Sequence, residues 1–410
     1  MEFGQMLWML VSYASITILS LVFAWTIYYD ITRTHIPPGI KQRLKLRLIN
    51  LSINVVFGLA QFLEKLGICP KHKAIRFVMD LVLPVISSKT IIKDLVFDEV
   101  PVRVYWPRTP TTDKRRAMIY FYGGVGVFGS LRSYGRLCNY IARRSGSVVV
   151  CVRFRCAPEH PFPVPVLDCL TATIHLLKNA ERYGVDPNRI IVGGDSSGGT
   201  FAAAVCQELV TRKDLPRVRA QVLIYPFLQA VDFNLPSYQQ NHSVPFSFRK
   251  RFIRLGLLYL TGRNIKVDEI MLSAHVPEEL RVKYRKWVSA DIIPEEFKVR
   301  GYVPPVLAPF SKELYEIGKQ AFEPMFSPLL AEDTVICQLP DTFILTCEYD
   351  IFRDDGLLYK KRLEDNGVPV TWHHVKDGFH GISMFVDFGP FKFPSSRSSC
   401  KRIVHFLEHL

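Results

Sequence analysis

The residues best suited to chemistry lie in three short stretches. Gly194-Asp195-Ser196-Ser197-Gly198 carries the pattern Gly-x-Ser-x-Gly, with Ser196 at its centre. A hydroxyl is a weak nucleophile, so it needs a neighbouring base, and the base needs a carboxylate to orient it. Downstream, Glu348-Tyr349-Asp350 and Asp377-Gly378-Phe379-His380-Gly381 each follow a run of β-branched and aromatic residues. The chain order Ser, Asp, His is that of hydrolases whose three groups stand at the ends of parallel strands. Ser196 is therefore the expected nucleophile, His380 its base and Asp350 the orienting acid. Ser197 cannot take the central place, because Asp195 would then stand where a glycine is required. His373 and His374 fall inside a strand pattern, and His405 and His409 on the terminal helix, so they read as structural. Glu348, Asp354 and Asp355 read as helix caps or surface charges.

Acyl transfer through a tetrahedral intermediate also needs preorganised N–H donors. Tyr122-Gly123-Gly124-Val125-Gly126 ends a strand pattern and is rich in glycine. Gly123 and Gly124 are the expected donors from this loop, joined by the N–H of Ser197 after the nucleophile. Tyr122 is the expected support of the loop. No metal or organic cofactor is expected, since these groups supply base, nucleophile and charge stabilisation.

The elements that must position these residues follow from the same texture. Strand patterns run over 95–106, 117–122, 148–153, 190–193, 220–225, 342–347 and 370–375. Amphipathic helices fall between them, at 167–183, 200–211 and 356–366. Such alternation predicts an α/β fold, a mostly parallel central sheet flanked by helices. Residues 228–335 break the rhythm with prolines and aromatics and are expected to form a helical lid over the carboxyl ends of the strands.

The chain has 410 residues, 48% apolar and 22% charged, which excludes a mainly disordered protein. From Phe3 to Tyr29 there are 27 consecutive residues without Asp, Glu, Lys or Arg. About 20 helical residues cross a bilayer core, so 6–28 is expected to be a transmembrane signal-anchor behind a short tail, 1–5. A cleaved leader has a shorter apolar run and a basic start, whereas Glu2 is acidic. Residues 29–94 read as a helical linker, with Gly67 and Pro70 interrupting it, and 95–410 as the catalytic domain. Arg33, Lys41, Arg43, Lys45 and Arg47 just after the span would hold the next segment in the cytosol. The sequons Asn50-Leu51-Ser52 and Asn241-His242-Ser243 make Asn50 and Asn241 glycosylation candidates and point to the opposite side. Nine cysteines without zinc spacing decide neither. The net charge of +14 is scattered and accompanied by no recognition motif, which argues against a nucleic-acid partner.

Taken together, Tyr122–Gly126, Arg155-Cys156-Ala157-Pro158-Glu159-His160-Pro161-Phe162-Pro163, Gly194–Gly198, Tyr349–Asp355 and Asp377–Gly381 resemble the arylacetamide deacetylase-like branch of the hormone-sensitive-lipase group of α/β-hydrolases. The resemblance covers nearly the whole chain. It implies an α/β-hydrolase fold, Ser196, Asp350 and His380 as a triad, and hydrolysis of hydrophobic carboxylic esters, acyl amides or lipid esters. It also implies a single-pass type II protein with its hydrolase domain in the endoplasmic reticulum lumen. Two departures from the family pattern stand out. The loop usually reads His-Gly-Gly-Gly, whereas here it is Tyr122-Gly123-Gly124-Val125, and the Cβ of Val125 is expected to forbid a positive φ. Val127 stands where relatives carry a cysteine able to pair with the position of Cys347. A catalytically impaired protein that binds acyl or lipid ligands in the same pocket is therefore the alternative reading.

Overall fold

The computed structural model describes residues 3–410. Its β-branched runs form eight strands: β1 Thr90–Phe97, β2 Val100–Pro107, β3 Arg115–Phe121, β4 Val148–Val152, β5 Val185–Asp195, β6 Ala220–Ile224, β7 Asp341–Tyr349 and β8 Val370–Phe379. They make one sheet in the order β1-β2-β4-β3-β5-β6-β7-β8. The pairs β1–β2 and β2–β4 are antiparallel and all later pairs are parallel. β4 and β6 are buried at every residue, because a parallel sheet covered on both faces offers no wet side.

Nine helices of ten or more residues accompany the sheet among the described residues: α1 Phe3–Arg33, α2 Arg43–Lys65, α3 Lys71–Asp80, α4 Gly135–Ser145, α5 Val164–Asn179, α6 Ser197–Leu209, α7 Arg249–Thr261, α8 Arg353–Asp365 and α9 Pro394–Glu408. α4 packs with α9, and α5 with α6, so the sheet is sandwiched. Strand β5 turns directly into α6, and the turn holds Ser196.

The edge of the sheet departs from expectation. The segment read as a single strand over 95–106 is a hairpin, and the sheet begins at Thr90. Asp98 and Glu99 both adopt positive φ, 44° and 71°, the two-residue geometry that matches the twist of flanking antiparallel strands. Asp tolerates that region, but Glu-Val after it gives no glycine signal, which hides the turn in the sequence.

The N-terminal helix is exposed along its apolar length, with none of its most apolar window buried inside the protein. Near its C-terminal end a polar contact ties it to α2. Asp30 accepts from Arg47 Nη1 at 2.7 Å and from Asn50 Nδ2 at 2.6 Å. Asn50 is 2% exposed, inside a helix and engaged with Asp30. Asn241 is fully buried, its amide donating to the carbonyls of Glu348 and Asp350. Both sequon asparagines, Asn50 and Asn241, are thus buried and serve as structural ties, whereas a glycan acceptor lies on the surface. All nine cysteines are free, Cys347 among them.

Residues 228–335 carry no strand. They fold as α7, short helices such as Pro236–Gln240 and Glu278–Tyr284, and tight turns. The segment is tied down through Asp355, fully buried on α8, which accepts from Leu228 N at 2.9 Å, Gln229 Nε2 at 3.1 Å and the Tyr238 hydroxyl at 3.2 Å. Asp354 is equally buried and pairs with Arg353 at 2.9 Å. Neither acid is the surface charge or simple cap that its place in the sequence suggests.

Candidate active site

Ser196 lies between β5 and α6 at φ 55°, ψ −125°, a strained conformation for a residue with a side chain. The turn is possible because its neighbours lack one. A Cβ on Gly198 would stand 2.1 Å from the carbonyl oxygen of Phe121. The Ser196 N–H is held by the Ile224 carbonyl at 2.9 Å, which ties the turn to β6.

Asp350 follows β7 and His380 follows β8, so adjacent parallel strands bring together residues 30 positions apart. His380 Nε2 lies 2.8 Å from Ser196 Oγ, and His380 Nδ1 lies 2.7 Å from Asp350 Oδ2. Asp350 also accepts the Phe352 N–H at 2.9 Å through its other oxygen. The imidazole is packed against the rings of Tyr225, Phe252 and Phe352 at 4.9, 5.1 and 5.2 Å between centroids. Water is largely excluded, which strengthens each charge interaction inside. This arrangement can take a proton from a hydroxyl and stabilise the imidazolium that results.

The glycine loop after β3 is organised by residues the sequence reading passed over. Gly123 N–H donates to Asp195 Oδ1 at 3.0 Å and to the Tyr134 hydroxyl at 3.1 Å. Tyr120 and Tyr134 in turn donate to Asp195 at 2.8 and 3.0 Å. Burial pushes the Asp195 carboxyl up to about 6, opposed by the hydrogen bonds from Tyr120, Tyr134 and Gly123. Gly123 is thus spent on the scaffold and is not a free donor, contrary to expectation. Gly124 N and Ser197 N have no partner among the described residues. The one available signal for Asp195 was a carboxylate inside the Gly-x-Ser-x-Gly turn, where burial is unavoidable.

Tyr122 supports the loop by stacking and not by a hydrogen bond. It is 1% exposed, with its ring 5.4 Å from Tyr134 and 4.4 Å from Phe154. Val125 departs from expectation: its φ is +59° despite its branched side chain. Its N–H donates to Ser197 Oγ at 2.8 Å, and positive-φ Gly124 and Gly126 flank it. Those contacts hold Val125 in a region that costs a β-branched residue about 1–2 kcal/mol. The loop keeps a glycine-like path at that cost.

Beside Ser196 opens an apolar pocket of about 70 Å³, lined by Phe201, Phe227, Phe252, Tyr259, Phe326 and Phe352 among others. This apolar lining beside the Ser196 hydroxyl suits the acyl part of a hydrophobic substrate.

With this geometry in view, the comparisons with known proteins are decisive. The alpha/beta hydrolase fold family matches residues 118–283 and 302–384. Human arylacetamide deacetylase-like 4 is 44% identical over 94% of this chain and 95% of its own length. The chain belongs to the arylacetamide deacetylase-like branch of the α/β-hydrolases. Bovine arylacetamide deacetylase, from the same family, is 36% identical over 91% of this chain and 94% of its own. Among solved structures, a thermostable esterase from Pseudomonas putida shares the fold, with a TM-score of 0.62 and 21% identity over 92% of this chain and 98% of its own. The family's expected fold is the one observed, from the parallel sheet to the helical lid.

Proposed function

We propose that this α/β-hydrolase is a membrane-anchored serine hydrolase that cleaves carboxylic esters or acyl amides of hydrophobic substrates. The observation that carries this reading is the unbroken relay from Ser196 Oγ through His380 to Asp350, at 2.8 and 2.7 Å. Ser196 Oγ attacks the acyl carbonyl as His380 Nε2 takes its proton. Asp350 holds the imidazole in orientation and offsets its charge. Gly124 N–H and Ser197 N–H receive the oxyanion. His380 then protonates the departing alcohol or amine, leaving an acyl group on Ser196. Water enters, His380 takes its proton, and the same steps release the carboxylic acid. The relatives named as arylacetamide deacetylases and the apolar pocket support an acyl group carried by a hydrophobic substrate.

A second reading is favoured by the two engaged N–H groups, Gly123 on Asp195 and Val125 on Ser197: a poor catalyst that binds acyl or lipid ligands. One experiment separates the two. A fluorophosphonate probe should label wild type and not Ser196→Ala, and p-nitrophenyl butyrate turnover should fall by at least about 10³-fold in Ser196→Ala and His380→Ala. Absence of labelling, with wild-type turnover no higher than that of Ser196→Ala, would sink the enzyme reading.

The anchor is α1, long and apolar enough to cross a membrane. The resemblance supports a type II protein of the endoplasmic reticulum with a lumenal hydrolase domain, and the partners proposed are that membrane and the hydrophobic substrate.

A further inference from the structure

A second, larger cleft of about 890 Å³ opens between α1, α2 and α7, on the opposite face of α7 from the acyl pocket. Residues 252, 253, 256, 257 and 260 of α7 face the acyl pocket, and residues 251, 254, 255 and 258 face the cleft. Its wall mixes two chemistries. Leu21, Val22 and Trp25 of α1 and Phe57 and Phe62 of α2 supply an apolar lining. Lys65, Lys71, Lys250, Arg251 and Arg254 supply cations, with Glu64 the only carboxylate in the wall among the described residues.

These cations are poorly matched within the chain. Lys250 reaches Asp268 at 2.5 Å outside the cleft. Arg251 has no carboxylate partner among the described residues. Its guanidinium lies over the rings of Phe57 and Phe248, at 4.7 and 4.8 Å, and donates to Asn54 Oδ1 at 3.2 Å. Asn54 is 3% exposed, and its Nδ2 has no acceptor at all. Lys71 Nζ donates to the neutral Gln61 oxygen at 3.0 Å and lies over the Phe57 ring at 5.5 Å, with the charge of Glu64 nearby but no ion pair formed. Burial lowers the pKa of Arg251, and burial together with the charge of Arg251 lowers that of Lys71. Cations in a half-buried cleft need an anion, since an uncompensated charge taken from water is costly.

We infer that this cleft is a binding site for one acidic phospholipid drawn from the membrane, its phosphate on Arg251, Arg254 and Lys71 and an acyl chain along Leu21, Val22 and Trp25. Several cations around one point favour a phosphate headgroup, which guanidinium and ammonium groups bind through charge-assisted hydrogen bonds. The apolar wall is the membrane helix itself, so the chain enters without leaving a hydrocarbon environment. The inference uses the proposed placement of α1 in a bilayer but none of the proposed chemistry at Ser196.

The test uses the full chain in detergent, titrated with short-chain phosphatidic acid, phosphatidylcholine of equal chain length, oleate or inorganic phosphate, and read by native mass spectrometry. Wild type should bind one phosphatidic acid at least tenfold more tightly than phosphatidylcholine, oleate or phosphate. Arg251→Gln with Arg254→Gln should lose that preference at least tenfold while keeping the wild-type melting temperature. Lys71→Gln, on the other wall, should weaken binding severalfold and serves if the double variant does not fold. Equal affinity for phosphatidylcholine, tighter binding of oleate, binding of phosphate alone, or unchanged binding in the variants would each overturn the inference. Carbonate extraction of α1 from membranes tests the anchor separately, so the two failures are distinguishable.

Discussion

At the scale of residues, the acid beside Ser196 does as much to shape the candidate site as Ser196 itself. Asp195 gathers Tyr120, Tyr134 and Gly123 at 2.8–3.0 Å and so sets where the next N–H, that of Gly124, points. Tyr134→Phe removes a hydroxyl that both accepts from Gly123 and donates to Asp195. Turnover is expected to fall by about 10- to 100-fold, with KM nearly unchanged, because a displaced donor acts only on the transition state. Steady-state kinetics on p-nitrophenyl butyrate would check it. Val125→Gly relieves the left-handed strain at φ +59°, less the extra chain entropy of glycine in the unfolded state. A net gain of about 1 kcal/mol is expected, read as a higher midpoint of thermal unfolding. Tyr122→His, by contrast, should destabilise, since it empties a stack with Phe154 and Tyr134 without supplying a bond that Gly123 lacks.

At the scale of elements, the lid is joined to the sheet through a buried acid on α8. Burial, with the neighbouring charge of Asp354, pushes Asp355 up to about 8, against the bonds from Leu228, Gln229 and Tyr238. Its folded pKa lies above the unfolded carboxylate value, so the folded state binds the proton more tightly. The stabilisation this supplies is complete below the unfolded value near 4, declines as pH rises, and is lost above about 8. Melting temperature is therefore expected to fall from pH 6 to pH 9 in wild type, and by clearly less in Asp355→Asn. An equal fall in both would show that another group governs the lid. The hairpin at Asp98-Glu99 and the α1–α2 tie through Asp30, Arg47 and Asn50 belong to the same scale: each joins elements by a few polar contacts that periodicity does not reveal.

At the scale of the whole molecule, the proposed anchor raises the question of which side of a membrane the sheet occupies. The two natural sequons are buried at Asn50 and Asn241, so wild type is expected to carry no N-glycan whatever its orientation. Pro110→Asn creates Asn-Thr-Thr in an exposed loop, residues 108–114. If the hydrolase domain is lumenal, this variant alone should gain mass that endoglycosidase removes. An unmodified variant, cut by protease added outside sealed microsomes, would place the domain in the cytosol.

Much of the candidate site was legible in the chain because each of its three groups is local to a strand end. A strand pattern followed by Gly-x-Ser-x-Gly, by Glu-Tyr-Asp or by Asp-Gly-Phe-His needs only a parallel sheet to bring Ser196, Asp350 and His380 together, and the alternation of strand and helix supplies that sheet. The apolar run of α1 is equally local. Only the tertiary structure decided that Gly123 is spent on Asp195, that Val125 sits at positive φ, that both sequon asparagines are buried, and that cations from α3 and α7 share a cleft with the apolar helix α1. Those outcomes depend on contacts between residues tens to hundreds of positions apart, such as Gly123 with Asp195, Asn241 with Asp350 and Arg251 with Asn54. Periodicity specifies which face of an element is buried, but not which polar group on a distant element will meet it there.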